Sequence, residues 1–117
     1  MYKWVCAKMI TFVAGETLDL RSTDDYYAID GRAIDFTSDD YPNLSEVTTM
    51  FYVDGKLNFS KITSYIDSKT LRLELSSTDL QSIGAGRWSY EIRSVFLSGH
   101  TVTVSFGNLI ITPAFGD

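Results

Sequence analysis

Between Gly84 and Pro113 the chain twice repeats a two-residue polarity code, and this restricts the fold more than any other feature. Trp88, Tyr90 and Ile92 alternate with Arg87, Ser89, Glu91 and Arg93, the period of a strand with one face buried and one in water. Ser98-Gly99-His100 turns the chain, since glycine accepts a positive φ at little steric cost. The return strand sets Val102, Val104 and Phe106 against Thr101, Thr103 and Ser105. A lone hairpin is marginal in water, so its apolar face must rest on a second sheet.

The rest of the chain supplies candidates for that sheet. Residues 17–21 read as a strand with Leu18 and Leu20 inward, and residues 33–37 as one with Ile34 and Phe36 on one face. Residues 47–53 align Val47, Phe51 and Val53, Asp54-Gly55 is a hairpin turn, and residues 56–59 return with Leu57 and Phe59. Residues 62–66 prolong that sheet, and residues 69–75 alternate Leu71, Leu73 and Leu75 with Thr70, Arg72 and Glu74. Residues 76–83 hold one short helical turn, capped by Ser77 or Thr78. About seven or eight short strands, with turns about every 8 to 12 residues, predict an all-β fold, an antiparallel sandwich. A closed barrel is the competing architecture. Leu18, Leu20, Val53, Leu71, Leu73, Trp88, Tyr90, Ile92, Val104 and Phe106 are expected in or near the core. The chain reads as a single domain over residues 1–117, with 1–8 an N-terminal arm or edge strand.

Charge and composition exclude several functions. Hydrophobic content of 44% is too high for a disordered chain. The net charge of −5, with only 10 scattered Lys and Arg, predicts no nucleic-acid partner. No apolar run approaches the ~18 residues of a membrane span, so no membrane association is expected. The N-terminal apolar run is broken by Lys8, so no signal peptide is expected. The single cysteine, Cys6, permits no intrachain disulfide and reads as a small buried hydrophobe.

No catalytic, cofactor or metal site is expected. His100 lies in a turn, and a general base needs a nucleophile and an orienting partner beside it. One Cys and one His fall short of a zinc site. The pairs Asp24-Asp25 and Asp39-Asp40, with Asp30 and Asp35, match no calcium-loop spacing and read as solvated loop charges. The same carboxylates are a weak basis for glycoside hydrolysis in a sandwich with little room for a cleft. Gly84-Ala85-Gly86 precedes a strand rather than a helix, so it is no phosphate loop.

The aromatic residues, 14% of the chain, carry the remaining signal. Tyr26-Tyr27 and Phe51-Tyr52 place adjacent rings on opposite faces, so some rings lie on a surface, where tyrosine marks interfaces. Tyr26, Tyr27, Tyr41 and Tyr52 are the candidate protein–protein contact residues. In a second reading Tyr26, Tyr27, Tyr41 and Trp88 are stacking platforms of a carbohydrate- or ligand-binding sandwich. Trp88 separates the two: it is buried in the first and exposed in a groove in the second.

The order of motifs resembles the immunoglobulin-like N-terminal domain of upper baseplate proteins of tailed phages, over roughly residues 9–115. The resemblance rests on Gly15-Glu16 followed by Thr17-Leu18-Asp19-Leu20, on Asp30 to Thr37, on Leu71 to Leu80, on Gly86 to Ile92 and on Thr103 to Ile110. Glu16 stands where the family usually has Asp, and Trp88 where it usually has Tyr. It implies an immunoglobulin-like fold and a non-enzymatic structural component of a phage virion, in tail, baseplate or capsid decoration. The implied partners are other virion proteins, with the chain itself in multiple copies within a symmetric assembly, and the implied location is the virion. The family's domain usually precedes an extension that carries receptor-binding parts. With Asp117 as the last residue, docking and assembly are expected rather than host recognition.

Overall fold

The structure, a computed structural model, describes residues 10–13, 15–55 and 59–113. The expected arm at 1–8, Cys6, and residues 56–58 of the expected return strand lie outside the described residues.

The described residues form nine strands, one α-helix and a 3-10 turn at Ala28–Asp30: β1 (Ile10–Val13), β2 (Leu18–Arg21), β3 (Ile34–Thr37), β4 (Thr48–Val53), β5 (Ser60–Ile62), β6 (Ser64–Asp67), β7 (Thr70–Leu73), α1 (Ser77–Ile83), β8 (Gly86–Val95) and β9 (Thr101–Thr112). They make two sheets, ordered β1-β3-β7-β6 and β2-β9-β8-β4-β5. This is an all-β, immunoglobulin-like sandwich, not a closed barrel. Pairing is antiparallel except at two edges, where β1 runs parallel to β3 and β2 parallel to β9. The chain thus crosses between sheets at Gly15, which adopts φ 93°.

The core forms between the inner faces. Phe36 from one sheet meets Phe51 and Tyr90 from the other, with Phe36–Tyr90 and Phe51–Tyr90 centroids 5.7 and 5.5 Å apart. Leu18, Leu20, Ile34, Leu71, Leu73, Ile92, Leu109 and Ile111 fill the space around them. Trp88 and Val104 are partly buried against this cluster. Thr49 and Ser94, buried opposite each other, share a hydrogen bond of 2.7 Å, so the polar pair is satisfied inside the core.

Four details depart from the sequence reading. Phe106 is 70% exposed while Ser105 is 6% exposed, so the inward code of β9 is reversed there. The cause is a bulge: Ile92 pairs with Ser105 but Arg93 pairs with Thr103, which leaves Val104 as the extra residue and resets the phase. Second, residues 62–66 do not all prolong the sheet of β4, because β5 and β6 lie in different sheets. Buried Thr63 bends the chain between them, its N–H and Oγ1 both donating to the Thr49 carbonyl at 2.9 Å. Third, the cap of α1 is Ser76 rather than Ser77 or Thr78. Its Oγ accepts from Asp79 N and the Asp79 carboxylate accepts from Ser76 N, a reciprocal capping box. Fourth, Phe59, the one described residue of the expected return strand, precedes the strand paired with β4, which is β5 at Ser60–Ile62.

Candidate functional site

The outer face of the five-stranded sheet carries the most unusual surface. Strand alternation sends Met50 and Tyr52 outward from β4, Glu91, Arg93 and Val95 from β8, and Ile62 from β5. The bulge adds Phe106 to the same side. Cross-strand pairing then sets Ile62, Met50, Arg93 and Thr103 in one row and Ser60, Tyr52, Glu91 and Phe106 in the next. Phe106 at 70% and Ile62 at 62% are far more exposed than folding alone asks of side chains with nothing polar to offer water.

A charged pair sits at the centre. Arg93 donates through Nε and NH2 to the Glu91 carboxylate at 3.3 and 3.2 Å, and its guanidinium lies 5.2 Å from the Tyr52 ring centroid. Thr103 Oγ1 donates to Glu91 at 3.3 Å. The Arg93 hydrogen bond holds the Glu91 carboxyl below its ordinary value, aided by Thr103, so Glu91 is ionised and Arg93 charged at neutral pH. This geometry can present one positive and one negative group at fixed positions, flanked by apolar side chains.

The face continues into an open depression of about 570 Å³ lined by Gly15, Asp54, Ser89, Tyr90, Glu91, Phe106, Gly107 and Asn108. Gly107 allows the closest approach in this region. A Cβ there would lie 2.9 Å from Tyr90 Oη and 3.0 Å from both Tyr90 Cε2 and the Gly15 carbonyl. Its absence lets the buried Tyr90 ring pass under β9 and donate from Oη to the Glu16 carbonyl at 2.9 Å. Burial pushes the Tyr90 phenol up to about 12.

The four candidate tyrosines are not brought together. Tyr52 lies half-buried on the outer face under Arg93. Tyr26 is 2% exposed, its Oη accepting from Arg21 N at 2.8 Å. Tyr27 is half-buried where its carbonyl accepts from Asp30 N and Arg32 N at 3.1 and 3.0 Å. Tyr41 packs on the core, and its buried Oη finds no hydrogen-bond partner among the described residues. Desolvation, then the neighbouring Tyr90, pushes that phenol up to about 12.

The acidic residues considered for an ion site are dispersed in pairs and turns. Asp35 holds Arg72 at 2.8 and 3.0 Å, Asp24 holds Arg32 at 3.3 Å, Asp39 holds Lys69 at 3.1 Å, and Asp25 accepts from Ser77 N at 2.6 Å. Among the described residues no group of three or more His, Cys, Asp or Glu could hold a metal. His100 is exposed, with Nδ1 3.2 Å from Ser98 Oγ in the same turn. Trp88 is half-buried and donates from Nε1 to the Gly84 carbonyl at 2.9 Å, so its indole is tied to the core edge, where it also lines an open depression of about 390 Å³ with Asp54, Arg87 and Asn108.

Phe106, Ile62 and Met50 were not foreseen as surface residues. The available signal was Gly107, since a glycine inside a strand pattern marks a bulge or close backbone approach.

No protein-family model and no curated protein sequence matches the chain. Among solved structures it is similar to the N-terminal domain of ORF48 of phage TP901-1, with a TM-score of 0.56 and 17% sequence identity, over 90% of this chain and 97% of that one. The likeness is one of fold: the nine strands here have the architecture of a domain from a phage protein.

Proposed function

We propose that the chain is a non-enzymatic structural module of a phage virion, built into a tail or baseplate and acting through protein–protein contacts. The observation that carries this reading is the near end-to-end correspondence with the phage domain, in keeping with the motif order over roughly residues 9–115. The band of exposed Ile62 and Phe106 and half-buried Met50 and Tyr52 around the Arg93–Glu91 pair is the contact surface, because surface apolar clusters rimmed by polar groups suit partners rather than water. Of the four candidate tyrosines, Tyr52 contributes directly. Tyr26, Tyr27 and Tyr41 act by fixing the loops beside the sheets.

The test is the composition and map of purified particles from a phage that encodes the chain. The chain should be present in a copy number set by the particle's symmetry, with Tyr52 and Phe106 covered by a neighbouring subunit. Its absence from the particles, or a map in which this face meets only solvent, would overturn the reading.

A further inference from the structure

We infer that the occupant of the outer face is a second copy of this chain, packed face to face about a two-fold axis. The inference rests on reading that face as a contact surface, and the face's own charge pattern selects the partner. An isologous interface must be self-complementary, each patch meeting itself turned by half a rotation. Glu91 and Arg93 lie on one strand two residues apart, opposite in sign and both outward. A two-fold axis running across the strands at the level of Ile92 keeps β8 over β8 of the other copy but reverses its direction. Arg93 of one copy then faces Glu91 of the other, twice.

The same operation treats the flanking residues consistently. Tyr52 and Met50 share β4, in the Glu91 and Arg93 rows respectively, so the Tyr52 ring of one copy comes over the Met50 thioether of the other, a favourable sulfur–aromatic contact. Phe106 and Ile62 lie on opposite flanks of the patch, in different rows, so each reaches over the other copy and leaves water. Stacked sheets pack about 10 Å apart with their strands roughly aligned, which suits side chains of this length. Four strands, β5, β4, β8 and β9, about 4.8 Å apart and read over four rows of outward residues, present roughly 500 Å² to a partner, so two copies bury about 1,000 Å². That is about the lower bound of a specific interface, and a dissociation constant in the micromolar range is expected.

Sedimentation equilibrium of the full chain between about 5 and 500 µM is the experiment, with circular dichroism confirming that each variant is folded. The wild type should pass from monomer to dimer. Glu91→Arg alone, or Arg93→Glu alone, places like charges opposite each other across the axis and should weaken the dimer at least ~10-fold. The double exchange, Glu91→Arg with Arg93→Glu, should restore it to within ~3-fold of wild type. Phe106→Ser should weaken it by ~10-fold or more. A wild-type chain that is monomeric throughout, single exchanges without effect, or a double exchange that fails to restore the dimer would each overturn the inference. A chain that enters particles yet is monomeric in solution and singly seated there overturns the dimer and leaves the virion role standing. A dimer of a chain that enters no particle does the reverse.

Discussion

The two faces of the five-stranded sheet are made from the same strands and behave as different materials. Inward, Phe51, Val53, Tyr90, Ile92, Leu109 and Ile111 are all sealed against the opposing sheet. Outward, Phe106 and Ile62 stand in water beside an ion pair. Apolar content alone does not separate them; what does is whether the second sheet supplies a partner. The four-stranded sheet differs again, for the centre of its outer face is the Asp35–Arg72 pair, largely shielded and bonded at two points. The centre of this outer surface is closed by its own chemistry, although Val13 at its edge is 60% exposed, and the centre of the other is left open.

The largest expected effect tests the inward face. Ile92→Ala should lower unfolding free energy by ~2–5 kcal/mol in denaturant titration, the usual loss for a fully buried aliphatic side chain. A loss near zero would dissolve the distinction between faces. Gly107→Ala probes the boundary between them. The added methyl meets both a buried ring and a backbone carbonyl, so a loss of ~1–3 kcal/mol is expected, with a change in near-ultraviolet dichroism from Tyr90.

A third effect lies outside both faces, at the cap of α1. Burial alone would raise the Asp79 carboxyl, but the Ser76 N–H and the Lys61 ammonium, 3.1 Å away, hold it below its ordinary value of 3.8. A depressed folded-state value means stability that is present above 3.8 and lost as pH falls through the lower, folded value. Asp79→Asn should therefore cost ~0.5–2 kcal/mol at neutral pH, and the gap from wild type should narrow at acid pH. An equal gap at every pH would assign the effect to shape rather than charge. The smallest effects belong to the surface. Phe106→Ser and His100→Ala should each change monomer stability by less than ~0.5 kcal/mol, and a larger loss for Phe106 would place its ring inside the fold.

Much of this was legible in the sequence because period-2 alternation reports which face is buried. Leu71, Leu73, Tyr90 and Ile92 follow it without exception. The rule failed at β9 because it presumes an uninterrupted pairing, and one unpaired residue at Val104 inverts every assignment on one side of it. Nothing in Val104 itself announces a bulge; the hint was Gly107, three residues on. The sheet switch at Thr63 was hidden for a similar reason, since its two bonds to the Thr49 carbonyl are contacts between segments distant in sequence. Site residues were least legible, because Tyr26, Tyr27, Tyr41 and Tyr52 have the same chemistry and only tertiary packing separates the core ring from the surface one.

The bulge at Val104 also divides the long hairpin into two parts with separate obligations. Leu109 and Ile111 take their orientation from β2 and the lower half of β8, below the bulge. The tip, with Leu97, Ser98 and His100 all exposed, lies above it. A residue gained or lost near the tip can be taken up where the ladder is already interrupted, and the alternation that seals the core need not change. The tip is therefore a part of the hairpin that can change in length and sequence while the sandwich beneath it stays the same.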